Sequence, residues 1–237
     1  MAKTAPRLPD VSTLMFDFYG TVVDIQAGLT RTVARYLEGK SWRGDAGRLV
    51  TWWRRAHFEN SMIDALLRAG HTPYRTIGFI SLEATLARAG IEHDDAEVVA
   101  LVAEIEKLEP FADAAAAVAR LRNRFRVAVL SNGDPDMLEG GVQHAGIAFD
   151  DVISVAVAGS FKPDRVTYEA ACRRLAVDPG AVLFVANHVF DCVGAKSAGM
   201  RTAFIDRRRR PFGRWPQQPD LVLPDLASLA AALTGEA

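Results

Sequence analysis

The chain predicts an α/β fold: a Rossmann-like parallel sheet with helices on both faces and a helical cap subdomain inserted after the first strand. Three observations predict it. Apolar runs at residues 13–16, 126–130, 182–185 and 201–205 have the length and bulk of strands buried on both faces. Helix-like segments separate the later runs, so strand and helix alternate, as parallel sheets require. Between residues 28 and 109 the alternation is missing and only helical spacing is found.

The first run, Thr13-Leu14-Met15-Phe16, leads into Asp17-Phe18-Tyr19-Gly20-Thr21. Gly20 permits a turn that other residues resist, so Asp17 falls at the carboxyl end of a central strand. Ligands of open α/β sheets sit in the crevice beyond those ends. A lone Asp there otherwise caps a helix or forms a turn. Residues 28–37 space Leu29, Val33 and Leu37 as a helix, and residues 39–47 read as a charged, glycine-rich loop. Residues 48–68 carry Leu49, Trp52, Trp53, Phe58, Met62, Leu66 and Leu67 at three- and four-residue steps, the pattern of a long amphipathic helix. Helices follow at 76–89 and 94–108, the latter with acids in its first turn, where the helix dipole favours them. Pro110 closes the insertion. Residues 1–27 and 110–237 are therefore expected to form the catalytic core, and 28–109 the cap.

The core continues with a helix at 113–122, the strand at 126–130 and a helix at 135–145. A weak strand at 152–155 and a helix at 164–175 come next. The strand at 182–185, a helix at 190–198 and strands at 201–205 and 221–223 precede a last helix at 226–233.

Composition narrows the function classes. With 237 residues, 49% hydrophobic and 24% charged, the chain has an ordinary globular make-up. A net charge of −1 gives no reason to expect nucleic acid or an anionic membrane as partner. The run Arg207-Arg208-Arg209-Arg210 reads as a solvated loop. Two isolated cysteines, Cys172 and Cys192, make neither a disulfide framework nor a metal cluster and fit a reducing compartment. No apolar run reaches the ~18 residues of a membrane span, and residues 1–10 hold no signal-like stretch. A cytoplasmic protein is expected.

Polar residues gather at the strand ends: Asp17, Tyr19 and Thr21; Ser131-Asn132-Gly133; Ser160-Phe161-Lys162-Pro163; then Asn187-His188 and Asp191. Each has a plain structural reading. Ser131-Asn132-Gly133-Asp134 makes a turn and helix cap, Lys162-Pro163 a loop, and Asp191 a complement to a helix N-terminus. Together, on one edge of one sheet, they make a site.

In this order the motifs resemble those of the haloacid dehalogenase superfamily, and they span nearly the whole chain. The position two after the aspartate separates its branches. Magnesium-dependent phosphatases carry a second Asp there and an acid pair near the fourth strand; here the residues are Tyr19 and Asn187. A hard cation seeks carboxylate oxygens, so no cofactor or metal is expected. The pattern is similar to that of the 2-haloacid dehalogenases, whose first motif has Tyr at this place. The resemblance implies that Asp17 attacks the halogen-bearing carbon of a short 2-haloacid. Lys162 would hold Asp17 ionised, and Thr21 and Ser131 would hold the substrate carboxylate. Arg54, from a Trp53-Arg54 pair, and Asn132 would receive halide. Asp191 would activate water, placed by Asn187 or His188, with the His188 imidazole a second candidate for the base. Tyr19 and Tyr168 complete the pattern, Tyr168 six positions after Lys162; a helix-packing aromatic is its other reading. The run Ala186-Asn187-His188 and Phe190 depart from the family's usual serines and Trp. The resemblance also implies a homodimer; Trp52 and Trp53 cannot face one core together, which leaves one of them for a partner subunit. Rival readings are opening of a strained cyclic amine, with His188 or Tyr168 as proton donor, a phosphatase, and a retired fold used for binding.

Overall fold

The computed structural model describes residues 10–235. The core is a six-stranded, all-parallel sheet in the order β3-β2-β1-β4-β5-β6. Its strands are β1 (Thr13–Phe16), β2 (Arg126–Ser131), β3 (Asp151–Ser154), β4 (Val182–Ala186), β5 (Arg201–Ile205) and β6 (Leu221–Leu223). Side chains alternate between faces, as the two-residue period of a strand dictates. Leu14, Phe16, Val127, Val129, Leu183 and Val185 join one buried cluster. Met15, Ala128, Leu130, Phe184 and Ala186 join the other. Helices α5 (Ala114–Arg122) and α9 (Leu226–Thr234) cover the first face; α7 (Arg165–Leu175) and α8 (Val189–Ser197) cover the second. Helix α6 (Pro135–Ala145) links β2 to β3.

Between β1 and α5 lie four helices: α1 (Ile25–Leu37), α2 (Ala46–Leu67), α3 (Tyr74–Arg88) and α4 (Asp95–Ala103). The chain leaves and rejoins the core at one place, where the Asp24 amide donates to the Glu109 carbonyl (3.0 Å) and the Phe111 amide to the Val22 carbonyl (2.9 Å). Of the boundaries that differ from expectation, two do so for evident local reasons. Helix α1 starts at Ile25 because Asp24 caps it, accepting from the Ala27 amide at 3.0 Å; such a cap contributes about 1 kcal/mol. The helix expected over 94–108 ends at Ala103 and tightens into a 3₁₀ turn at Glu104–Lys107.

Asp134 does not cap its own helix. Its carboxylate reaches across to the start of α3, accepting the Tyr74 amide at 2.7 Å and the Arg75 amide at 3.0 Å. A core residue thereby ends a helix of the insertion. The paired tryptophans divide as helix geometry demands. Trp53 is buried, its indole N–H donating to the Gly78 carbonyl, while Trp52 is half exposed. Among the described residues no helix is long and apolar enough to cross a membrane.

Candidate active site

Phe16 pairs with Val129 on β2 and Val185 on β4, so Asp17 emerges at the level of Leu130 and Ala186, one residue short of Ser131 and Asn187. This central strand is flanked on both sides, and all three strand ends deliver their polar residues to one crevice. The crevice opens into a cavity of about 500 Å³ between sheet edge and inserted helices. Asp17, Tyr19, Ser131, Asn132, Lys162 and His188 line it from the core, and Arg54 lines it from α2.

Lys162 is the hub. Its buried ammonium donates to Asp17 Oδ1 (2.9 Å), Asp191 Oδ2 (2.8 Å) and the Leu130 carbonyl (2.9 Å). The second Asp17 oxygen accepts the Thr21 hydroxyl at 2.7 Å and lies 3.3 Å from His188 Nδ1. Burial alone would raise the Asp17 pKa, but the Lys162 charge, with His188, outweighs it and holds the carboxyl well below the usual range. Asp17 is therefore ionised in a dry setting. Burial lowers the pKa of Lys162, yet its two carboxylates more than reverse that and raise it. Asp191 moves the other way from Asp17: burial, and the Asp17 charge, push it up against the pull of Lys162.

Glycines at two close approaches make this packing possible. Gly20 (φ 96°) sits where a Cβ would lie 2.8 Å from the His188 ring, so the turn leaves room for the imidazole beside Asp17. Gly194 on α8 leaves room for Tyr168, whose hydroxyl a Cβ would meet at 2.7 Å.

Four expected roles change. Asp191 is wholly buried and does not line the cavity; Tyr168 donates to its Oδ1 (2.5 Å) and Lys162 to its Oδ2. With both oxygens occupied away from solvent, it holds Lys162 and is not placed to activate water. Tyr168 is buried against Phe184 and bonds Asp191, so it positions the network and contacts no ligand space. Thr21 is likewise sealed, donating to Asp17 and accepting the Asn187 amide at 2.9 Å. It orients the carboxylate and does not face the substrate. Asn187 contributes that backbone N–H, while its side chain stays off the cavity wall.

Ser131 and Asn132 do face the cavity, and Asn132 Oδ1 fixes the lysine loop by accepting the Lys162 amide at 2.9 Å. Arg54 Nη1 donates to Gln26 Oε1 at 2.9 Å, and Gln26 is itself anchored on the Gly47 carbonyl. Tyr19 stacks parallel to Tyr74 with its hydroxyl buried and unbonded. Sequence reasoning missed Gln26, Tyr74 and His57. They belong to the inserted helices, where helical spacing reports burial and not which residue meets the cavity. His57 is buried beside Tyr74 with Nε2 unpartnered, and burial pushes its pKa down to about 3. The arginine run is no uniform solvated loop, since Arg208 and Arg210 also line the cavity.

Asp17, His188 and Asp191 bring ligand atoms within 4.8 Å of one another. They do not fit a hard divalent cation, which takes six or more oxygens. The two carboxylates already share the Lys162 ammonium, Tyr168 holds a third oxygen, and Tyr19 supplies no carboxylate.

A buried aspartate held ionised against a lysine at the carboxyl end of a parallel sheet is what a hydrolase of the covalent type requires of its nucleophile. Consistent with that class, the chain belongs to the haloacid dehalogenase-like hydrolase family, whose model matches residues 11–199. It is 34% identical to an (S)-2-haloacid dehalogenase of Xanthobacter autotrophicus over 83% of this chain and 76% of that protein. It is 26% identical to haloacetate dehalogenase H-2 of Moraxella sp. (strain B), over 90% and 94% of the two chains. The structure of the Xanthobacter autotrophicus L-2-haloacid dehalogenase with covalently bound chloropropionic acid superposes with a TM-score of 0.83 at 29% identity. It covers 96% of this chain and all of the other.

Proposed function

We propose that this protein hydrolyses short 2-haloalkanoic acids to 2-hydroxyacids through an ester on Asp17, without a metal ion. The observation that carries the reading is the Asp17 carboxylate itself: ionised, dry and facing the cavity, with Oδ1 holding one donor and so keeping a lone pair for attack. Asp17 attacks C2, the carbon–halogen bond breaks, and its electron pair leaves with the halide. Covalent catalysis divides one hard step into two. Arg54 and the Asn132 amide stabilise the departing anion, a reading supported by their position on the cavity wall and the Arg54–Gln26 hydrogen bond. Ser131, on the cavity wall, holds the substrate carboxylate in this reading.

Water then attacks the Asp17 carbonyl carbon. His188 takes the water proton, because it lines the cavity beside Asp17 while Asp191 is sealed. The ester C–O bond breaks, the expelled alkoxide takes the proton back from His188 and leaves as the 2-hydroxyacid, and the Asp17 carboxyl loses its remaining proton to water. The inserted helices, residues 28–109 in this reading, close the cavity and exclude bulk water. Half-exposed Trp52 and exposed Leu66 and Leu67 on α2 support a homodimer. The two buried free thiols support a reducing, cytoplasmic location.

The test is halide release from chloroacetate and from each enantiomer of 2-chloropropionate in EDTA, for the wild type and Asp17→Asn. Release from one enantiomer that persists in EDTA and vanishes in the variant is the expected result. A single turnover in ¹⁸O water should place label in the Asp17 carboxylate. No halide from any haloacid would overturn the reading and direct attention to strained cyclic amines. His188→Asn should show a halide burst followed by slow turnover, since ester formation does not need the base.

A further inference from the structure

The four arginines at 207–210 divide into an anchor and a pair at the cavity rim. Arg207 is buried. Its guanidinium donates to both Asp113 oxygens (3.0 and 3.2 Å) and to the Thr21 carbonyl (3.1 Å), and lies 3.8 Å over the Phe111 ring. Asp206 shapes the turn after it, its carboxylate accepting the Arg210 amide at 2.7 Å and its carbonyl the Arg209 amide at 3.2 Å. Arg209 takes a left-handed φ of 50°, a conformation that side chains with a Cβ resist. This loop is pinned at one end, tied by Asp206 and strained in the middle. Its outcome is that Arg208 and Arg210 line the same cavity as Asp17.

Arg55 lines it too, from α2. Among the described residues none of Arg55, Arg208 and Arg210 has a carboxylate partner. Burial, with the charge of Arg208 nearby, holds the Arg54 pKa below its usual value, so the cations at this opening feel one another. Gathered like charges without counter-ions favour a bound anion. The proposed haloacid chemistry already uses Arg54, Ser131 and Asn132 for the halide and the first carboxylate, and leaves the rim pair without a task. A cavity of about 500 Å³ is also of a size that holds drug-sized ligands, well beyond a three-carbon acid.

Resting on the dehalogenase reading, we propose that Arg208 and Arg210 form a subsite for a second carboxylate, so that the enzyme accepts 2-halo dicarboxylic acids. The far carboxylate pairs with the guanidinium forks at the rim while C2 meets Asp17. The reaction at C2 is unchanged: halide leaves with the bonding pair, and a 2-hydroxy dicarboxylate is released.

The experiment compares kcat/KM for acids of equal carbon number: 2-chlorobutanoate with 2-chlorosuccinate, 2-chloropentanoate with 2-chloroglutarate, and 2-chlorohexanoate with 2-chloroadipate. The wild type should favour the diacid about tenfold or more at one or more of these lengths, the worth of a charge-assisted bond. In Arg208→Gln/Arg210→Gln the preference should vanish through KM, and in Arg208→Glu it should invert. Equal losses for monoacid and diacid in the double variant would show general electrostatic steering and overturn the subsite. So would the lack of a diacid preference at every length. If the wild type releases halide from 2-chloropropionate but shows no such preference, only the subsite fails. If it releases none, the dehalogenase reading fails first.

Discussion

The floor of the cavity and its far side are built on opposite rules. On the floor every oxygen of Asp17 and Asp191 has a protein donor, and Lys162 joins them inside the sheet edge. On the far side His57 Nε2 has no partner, and Arg208 and Arg210 are without counter-ions among the described residues. A buried polar network is stabilising only when fully satisfied. The Asp17–Lys162–Asp191 network meets that condition, and the far side does not. The difference assigns chemistry to the floor and choice of substrate to the far side. Floor variants should therefore lose kcat, and far-side variants should alter KM and selectivity.

The largest test is Asp17→Asn, which should lower turnover ~10⁴-fold or more while leaving substrate affinity near the wild-type value. Lys162→Met comes next. Removing one partner of a buried ion pair costs about 3–5 kcal/mol, so denaturant midpoints should fall steeply. Its pH profile gives the sign. Without the ammonium, burial, which raises the Asp17 pKa, is opposed by the His188 and Thr21 hydrogen bonds alone. The acid limb of kcat/KM should therefore move to higher pH than in the wild type. An unmoved limb would show that Lys162 does not keep Asp17 ionised.

Tyr168→Phe sharpens the boundary between the two regions. It removes the donor to Asp191 Oδ1 and leaves that buried oxygen unbonded. A loss of about 1–3 kcal/mol in stability is expected, with kcat reduced and KM for 2-chloropropionate within about twofold. A large change in KM would mean that Tyr168 meets the substrate after all.

How much of the molecule was legible in its sequence divides the same way. The floor was legible because a parallel sheet carries its chemistry at strand ends. An apolar run that stops at Asp17, and others that stop at Ser131 and Asn187, announce neighbours once the strands pair. What the strand ends could not reveal is direction. Asp191, Thr21 and Tyr168 share that edge but point into protein, and burial decides whether an acid can handle water or only hold a lysine. The far side was hardly legible. Helical spacing marks Trp53 and Leu49 as buried, but it does not separate a core residue from a cavity wall such as Tyr74. Four consecutive arginines look alike in the chain, and only the turn at Asp206 and the contact with Asp113 set Arg207 apart from the pair at the rim.

His57 provides the smallest test and the one most specific to the far side. Burial, with the Arg54 charge adding to it, depresses its pKa to about 3, against ~6.5 in an unfolded chain. Between those values the unfolded state binds a proton that the native state refuses, so stability rises with pH and is lost as pH falls. Above pH ~6.5 both states are neutral at this residue and it contributes nothing to the pH dependence. His57→Leu removes the effect, and with it a buried nitrogen that has no partner. At pH 7 the variant should match the wild type within about 1 kcal/mol. At pH 5 it should have gained roughly 2 kcal/mol relative to the wild type, about 1.4 for each pH unit below 6.5. Urea midpoints at the two pH values measure it. Parallel losses in both proteins would mean that His57 takes up a proton in the folded state. That would place a charge on the far side where the structure has a neutral ring, and it would strengthen the case that this wall is finished by an anion.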